Sequence, residues 1–307
     1  MDNLLLVIRV VITSFDNYSI DVDIVCKPGT QIGDYLERYA AEYGFTGVTE
    51  FSRQSRTLVP KTHASYQYLV SYPSGYTNGE ILLDVLYEDI EYNKVIALPI
   101  QSPLLKTDGE PVMVQVPSLE DMLGDKLTAF APHTTGIPFF KGEKPLSMEI
   151  MKQLFDISSI LDRTDNLKTV RRTFNTIVPI ELGYRGLDEL SADDVLADAY
   201  NTAMNICLYG ALDRQEYIWL TSGAHRVNSF ILTENYAMER AVRDAAKVAY
   251  LARLLQLGIN VVRHYTPADD AALAAEIIED QALNKLNRLK KVNTEAFFYA
   301  RRLEELG

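Results

Sequence analysis

The fold of this chain is first indicated by a stretch near its N-terminus, residues 17–25, which reads NYSIDVDIV. Apolar and acidic residues alternate along it, and alternate residues of a β-strand lie on opposite faces of a sheet. The apolar residues would therefore face a core, while Asp21 and Asp23 would share the other face, about 6–7 Å apart along the strand. Two carboxylates held this close repel each other unless a cation lies between them. The strand predicts either a solvated sheet edge or a magnesium site, because Mg²⁺ binds through one or two carboxylates together with substrate phosphates.

Further strand patterns follow in the N-terminal part of the chain. Strands are predicted at residues 64–72, 80–90, 94–100 and 112–117. A turn-rich segment at 73–79 separates the first two of these. Residues 31–44 predict a helix that ends at Gly44, and the apolar run at residues 4–12 fits either a strand or a buried helix.

The chain after residue 117 has helical patterns and no strand pattern of comparable strength. Helices are predicted at residues 118–131, 147–163 and 234–258, among others. The first of them has Ser118 as its N-cap and Asp121 three residues later, as in a capping box. We therefore expect an α+β protein with an N-terminal sheet domain, residues 1–165, and a C-terminal helical bundle domain, residues 166–307.

The composition narrows the class of protein. The formal net charge is −12, which disfavours a broad nucleic-acid footprint, because such surfaces are usually basic. Cys26 and Cys207 lie far apart and match neither a zinc site nor a disulfide framework. No apolar run reaches the roughly 18 residues of a membrane span, and the N-terminus lacks the basic region of a signal peptide. These features predict a cytoplasmic protein with no membrane partner.

Asp84 adds a third carboxylate to the predicted sheet. It lies in the strand sequence ILLDVLY, with Leu82 and Leu86 on its own face of the strand. A charged group in such a setting is costly unless it is paired or binds a metal, so the alternatives are a salt bridge and a metal site. Together with Asp21 and Asp23, it indicates the carboxylate set of a two-metal phosphoryl-transfer site.

Lys126 lies in the apolar stripe of the helix predicted at residues 118–131. It is four residues after Met122 and four before Phe130, and both are stripe positions. Lysine is rarely buried without a partner. The pattern therefore leaves two interpretations open: the ammonium snorkels to water, or it points into a site and contacts the phosphates of a nucleotide.

Asp156 lies in the helix predicted at residues 147–163, nearly opposite the apolar side of that helix. Its neighbours on the polar side are Lys152 and Glu149. From the residues alone, a solvated helix face is the favoured interpretation. The loop between the two helices, residues 132–146, contains His133 and two lysines, and we interpret it as a surface connection rather than a phosphate-binding lid.

Four of these stretches resemble the AbiEii family of nucleotidyltransferases, which are toxins of bacterial toxin–antitoxin and abortive-infection systems. NYSIDVDIV resembles the family's metal-binding strand, and EILLDVLY resembles its third-carboxylate strand. SLEDMLGDKLTAFA resembles the helix with the active-site lysine, and MKQLFDISSIL resembles the helix of the fourth motif. The resemblance spans about residues 15–165 and implies a nucleotidyltransferase-like mixed sheet.

The resemblance also implies residue roles and ligands. Asp21, Asp23 and Asp84 align with the metal ligands, for Mg²⁺ or Mn²⁺, and Lys126 aligns with the nucleotide-binding lysine. Asp84, Lys126 and Asp156 align with catalytic positions. The implied reaction transfers a nucleotide from a nucleoside triphosphate to an RNA acceptor, such as tRNA, or to a protein. An antitoxin protein is the implied partner.

Two other functions stay open at this point. The family has a glycine turn upstream of its aspartate pair, whereas residues 1–16 contain no glycine. This departure motivates a nucleotidyltransferase-like scaffold that binds a partner without catalysis. A nuclease built on carboxylates and a lysine is the other alternative, and it would shorten nucleic acid without requiring a nucleotide.

Overall fold

The structure is a computed structural model that describes residues 7–8, 21–30, 32–33, 42, 45–51, 61–72, 75–89, 91–101, 109–231 and 235–307. The chain forms two compact units, Met1–Ser118 and Leu119–Gly307. The sequence patterns place the domain boundary later, between residues 165 and 166. The two divisions differ because the helices that begin at Leu119 and Ser147 pack against later helices of the second unit.

The first unit is built on a mixed β-sheet. Its strands are β1 (Val7–Ile8), β2 (Asp21–Cys26), β3 (Gly47–Phe51), β4 (Lys61–Tyr72), β5 (Gly75–Tyr87), β6 (Val95–Pro99) and β7 (Met113–Pro117). Within the described residues, the sheet order is β3-β4-β5-β2-β1-β7-β6. The pairs β2–β5 and β1–β7 are parallel, and the other neighbours are antiparallel. This mixed sheet, followed by helices, fits the predicted α+β class.

The alternation predicted for β2 is present in the structure. Its core-facing residues Val22, Ile24 and Cys26 pack with Leu83 and Val85 of β5. These β5 residues lie at the register positions opposite Val22 and Ile24. Because one face of both strands is apolar, the register is fixed, and a slip by one residue would expose this set.

The strand predictions are confirmed, but the turn predicted at residues 73–79 is too long. Tyr72 of β4 pairs with Gly75 of β5, and the antiparallel ladder continues to the Lys61–Leu86 pair. Residues 75–79 are therefore strand, because a long hairpin ladder outweighs the turn preference of Gly and Asn. The sequence patterns missed β3, and the helix predicted at 31–44 falls almost entirely outside the described residues.

The second unit is helical. Its α-helices are α1 (Leu119–Ala129), α2 (Ser147–Leu161), α3 (Lys168–Arg185), α4 (Ala192–Cys207), α5 (Arg214–Val227), α6 (Met238–Gln256), α7 (Asp270–Leu273), α8 (Leu289–Val292) and α9 (Thr294–Glu305). Short 3₁₀ helices cover Pro267–Asp269 and Asn284–Arg288. A two-stranded ribbon, β8 (Phe140–Lys141) and β9 (Lys144–Pro145), lies between α1 and α2 in the chain.

Helix pairs of the second unit bury their apolar faces against each other. The main pairs are α4–α6, α1–α3, α2–α5, α6–α9 and α2–α6. Helix α6 is central, because residues from Ala241 to Leu255 include a long run of buried side chains. Most of the stability of such a bundle comes from this packing rather than from helix propensity.

In the part of the chain that the structure describes, no helix combines the length and the apolar character that crossing a bilayer requires.

Candidate active site

Asp23 and Asp84 lie directly opposite each other on neighbouring strands of the sheet. Strands β2 and β5 run parallel, and Asp23 pairs in register with Asp84. Adjacent strands are about 4.8 Å apart, and residues in register present their side chains on the same face. Both residues are half-buried, on the face opposite the apolar cluster of Ile24 and Val85. Two predicted metal ligands are therefore brought together by the sheet register.

The third predicted metal ligand, Asp21, is described only in its backbone. It begins β2 and pairs with Leu82, while its side chain lies outside the described part of the structure. Among the described residues, no group of three His, Cys, Asp or Glu side chains has the arrangement of a metal site. The Asp23–Asp84 pair nevertheless fits a magnesium or manganese ion, since it supplies two hard oxygen donors on one face. The complete three-aspartate set stays a prediction.

Lys126 and Asp156 form an ion pair within the second unit. Lys126 Nζ of α1 lies 2.7 Å from Asp156 Oδ2 of α2. The two side chains are only 22% and 19% exposed. The contact is a charge-assisted hydrogen bond of short length. Lys126 is thus neither in the apolar core nor extended into water, and its ammonium is held in a fixed direction by a carboxylate.

Helix α1, which carries Lys126, packs unusually close to α3. A Cβ atom at Gly124 would lie 2.6 Å from the carbonyl oxygen of Val170. Next to this crossing, Thr173 Oγ1 donates a 2.6 Å hydrogen bond to the fully buried Asp121. The glycine permits the close approach, and the hydrogen bond fixes the rotation of α1. Together they determine the direction in which Lys126 leaves the helix.

The structure corrects the solvated-face interpretation of Asp156. The helical pattern placed Asp156 on the side of α2 opposite Met151 and Leu154, and this placement is consistent with their complete burial. However, α1 also packs against α2, and Lys126 reaches Asp156. A helical wheel cannot reveal such a neighbour, because it describes one helix at a time. A lysine in the apolar stripe of α1 was the signal that a carboxylate partner was needed.

The loop between α1 and α2 is a surface connection only in its second half, because Thr134, Thr135 and Phe139 are buried. His133 ties the loop to the bundle. Its Nδ1 lies 2.7 Å from Asp198 Oδ1, and its Nε2 lies 2.7 Å from Glu216 Oε1. The hydrogen bond with Asp198 and the charges of both carboxylates raise the pKa of His133 to about 9, although partial burial opposes this. At neutral pH the imidazolium therefore bridges α4 and α5.

A buried charged cluster joins α2, α6 and α9, and no sequence pattern pointed to it. Lys247, only 2% exposed, lies 2.7 Å from both Asp162 and Glu295. Fully buried Asp244 accepts hydrogen bonds from Ser158 and Tyr236. Burial raises the pKa of Asp244 to about 7, even though Arg240 and Lys247 act in the opposite direction. Because these charges are mutually paired, we interpret the cluster as structural.

Comparison with known protein families gives a match to the AbiEii nucleotidyl transferase toxins of type IV toxin–antitoxin systems, over residues 16–222. This chain belongs to the AbiEii family. The matched region contains all five predicted site residues, and it extends beyond Ser118 into the second unit. The resemblance inferred from the four sequence stretches is thereby confirmed at the level of the family.

Other comparisons add little to the AbiEii assignment. The chain is similar to a solved structure described as the crystal structure of JHP933 from Helicobacter pylori. The match has 12% sequence identity and a TM-score of 0.41, and it covers 84% of this chain and 86% of the other. Among curated proteins, none matches the chain.

Proposed function

We propose that this chain is a nucleotidyltransferase that transfers a nucleotide from a nucleoside triphosphate to an RNA acceptor with a tRNA-like end. Membership of the AbiEii family supports the reaction class. The structural observation that carries the proposal is the register of β2 and β5, which places Asp23 opposite Asp84. An acidic pair on one sheet face is the arrangement that a metal-assisted phosphoryl transfer requires.

In the proposed reaction, a hydroxyl oxygen of the acceptor attacks the α-phosphorus of the nucleoside triphosphate. A new P–O bond forms, the bond to the bridging oxygen of the β-phosphate breaks, and pyrophosphate leaves. Asp84 accepts the proton of the attacking hydroxyl as general base. Asp21, Asp23 and Asp84 would hold Mg²⁺ or Mn²⁺, and the bound ion would neutralise charge that develops on the phosphate oxygens.

Lys126 is proposed to bind the triphosphate. Its ammonium is a compact point charge with three donors, of which Asp156 occupies one. In the proposed site the other two donors would contact phosphate oxygens, and the ion pair with Asp156 directs the ammonium. Asp156 therefore serves as a positioning residue for Lys126. Positioning and electrostatic stabilisation supply most of the catalysis in phosphoryl transfer.

The partner and location follow from the family. Because AbiEii proteins are toxins of toxin–antitoxin systems, we propose an antitoxin protein as the partner of this chain. The reaction consumes nucleoside triphosphate and modifies RNA, and both are cytoplasmic, so we propose a cytoplasmic location.

The proposal is tested by incubating the chain with each labelled nucleoside triphosphate and Mg²⁺, in separate reactions with total RNA and with protein extract. We expect label in an RNA band and release of pyrophosphate. Label in a protein band instead would mean that the acceptor is a protein, and the assignment of nucleotidyl transfer would stand. Shortening of RNA without nucleotide would favour the nuclease. If a folded chain neither transfers nucleotide to either extract nor shortens RNA, the binding scaffold without catalysis is favoured, as the glycine-free residues 1–16 would allow.

A further inference from the structure

Four side chains of the second unit form a row in which two neighbouring tyrosine rings lie between two arginines. The Arg288 guanidinium lies 4.1 Å from the centre of the Tyr209 ring. The Tyr209 and Tyr217 ring centres are 6.4 Å apart, and the Arg214 guanidinium lies 5.6 Å from the Tyr217 ring. We call this row the Arg–Tyr ladder. Both arginines are exposed and both tyrosines are partly exposed, so the ladder lies at the surface.

The backbone at the centre of the ladder adopts a conformation that is rare for a bulky residue. Tyr209 has a φ of 53°, and within the described chain it is the one residue other than glycine with positive φ. Such a conformation is strained for a residue with a bulky side chain and persists only where the surroundings enforce it. The next residue is Gly210, with a φ of 81°. A Cβ atom there would lie 2.7 Å from Tyr217 Cβ, so the turn is shaped to bring the two tyrosines together.

A basic segment, residues 284–291, runs beside the ladder. It reads NKLNRLKK and contains four cations and no acidic residue, in a chain of net charge −12. Lys285, Arg288 and Lys291 are exposed at intervals of three residues. Lys285 and Arg288 lie on the 3₁₀ helix Asn284–Arg288, in which residues three apart lie above one another. Lys291 follows on α8.

The basic segment is anchored to the unit rather than loosely attached. Leu286 and Leu289, which alternate with the cations, are buried. Arg288 also donates a 3.2 Å hydrogen bond to the carbonyl oxygen of Cys207, at the end of α4. The row of cations therefore has a fixed position next to the aromatic rings of the ladder.

We infer that the Arg–Tyr ladder and the basic segment form a binding surface for single-stranded RNA. Lys285, Arg288 and Lys291 would contact successive backbone phosphates, and unstacked bases would stack on the tyrosine rings and arginine planes. The acidic remainder of the chain would confine binding to this surface, which suits a single strand better than a long duplex. The claim that this surface holds the acceptor of the reaction rests on the function proposed above. The claim that the surface binds RNA does not depend on that function.

The experiment measures binding of a fluorescent single-stranded RNA of about 12 nucleotides by anisotropy, without nucleoside triphosphate. Lys285→Glu and Lys291→Glu each reverse one exposed charge of the surface, and Tyr217→Leu removes one ring. Lys168→Glu is the matched control, because it reverses an exposed lysine elsewhere on the same unit. We expect each surface variant to weaken binding about 10-fold and the control to bind within about 2-fold of wild type. The slope of log Kd against log salt concentration should fall by about 0.7 for each phosphate that a variant no longer neutralises.

The inference is overturned if wild type does not bind the RNA, or if all variants bind it equally. It is also overturned if the surface variants lose affinity for polyglutamate but keep their affinity for RNA, because the surface would then serve an acidic protein. Failure of the proposed function gives a different result. If the chain binds RNA through this surface but transfers no nucleotide, the RNA-binding inference stands and the proposed enzymatic function is wrong.

Discussion

Lys126 and Asp156 are joined by a 2.7 Å ion pair between α1 and α2, with both side chains about four-fifths buried. Solvent screens an exposed ion pair so strongly that the pair contributes little to the free energy of unfolding. Partial burial weakens this screening. Removal of one partner also leaves the other charge largely buried without its counter-charge. The pair therefore links the stability of the α1–α2 packing to the position of the lysine that we assign to triphosphate binding.

This link is tested by a double-mutant cycle with Lys126→Met and Asp156→Asn. Methionine keeps the stem volume of lysine, and asparagine keeps the shape of aspartate, so packing is largely preserved. We expect a coupling free energy of about 1 kcal/mol from urea unfolding. Additive effects of the two substitutions would contradict a stabilising pair.

The same variants have a distinct effect on the reaction. Lys126→Met should lower triphosphate affinity or turnover by ~10–1000-fold, because the phosphates in the transition state are then without the ammonium charge. Lys126→Arg should restore only part of the activity, since the planar guanidinium reaches phosphate differently. Lys168→Met, at an exposed position of α3, is the control. Full activity of Lys126→Met at limiting and at saturating nucleotide would refute the assignment.

The Asp23–Asp84 pair gives a third prediction. Asp23→Asn and Asp84→Asn each keep the side-chain volume and remove one charge, so each should weaken Mn²⁺ binding at least about 10-fold and slow transfer at least about 100-fold. Mn²⁺ binding is measured by electron paramagnetic resonance, independently of activity. Asp89→Asn, an exposed carboxylate just after β5, should leave both quantities unchanged. Equal Mn²⁺ affinity in all three variants would contradict the assignment of Asp23 and Asp84 as metal ligands.

The common face of Asp23 and Asp84 was predictable from the sequence only in part. Strand periodicity placed each aspartate opposite its apolar neighbours, and the structure agrees for Ile24 and Val85. The pairing of Asp23 with Asp84 was not predictable, because register between strands that are distant in the chain depends on the whole sheet. The short strand β3 was missed because five residues, Gly47–Phe51, give too little alternation to distinguish a strand from a loop.

The helices of the second unit were predictable from the sequence, but the contacts between those helices were not. The stripe of α1 identified Lys126 as anomalous, and the start of the helix after Ser118 was correct. The partner Asp156 and the cluster around Lys247 depend on how helices pack against each other. The left-handed backbone of Tyr209 likewise has no local signal except the glycine that follows it.

The close crossing of α1 and α3 gives a fourth prediction. Gly124→Ala would place a methyl group 2.6 Å from the backbone oxygen of Val170 and 3.0 Å from Thr173 Cβ. Backbone must then shift, so we expect a loss of about 1–3 kcal/mol in the free energy of unfolding. Gly183→Ala is the control in α3, because among the described residues the atom nearest to its new Cβ is Asp188 Oδ1, at 3.5 Å. That variant should be about 0.5–1 kcal/mol more stable than wild type. A stabilising Gly124→Ala would show that the helices are not in close contact there.

The final prediction concerns the pH dependence that His133 imposes on stability. Its pKa is raised from 6.5 to about 9 in the folded chain, chiefly by the hydrogen bond with Asp198 and also by Glu216. A pKa that is higher in the folded state means that folding takes up a proton. The stabilisation is therefore complete below about pH 6.5 and is lost as the pH rises through about 9. Because the side chain is 51% exposed, solvent screens this contribution.

His133→Gln should remove this part of the pH dependence. Glutamine can still donate a hydrogen bond to Asp198 but carries no charge, so wild type should exceed the variant in Tm at pH about 6 and lose that advantage by pH about 10. His225→Gln is the control, since it removes an exposed histidine from α5, the helix that carries Glu216. It should leave the wild-type pH profile unchanged. The proton itself is followed by the NMR shift of the His133 ring, which should titrate near pH 9. A His133 ring that titrates near 6.5, or a Tm difference that does not change with pH, would mean that the imidazolium does not bridge α4 and α5.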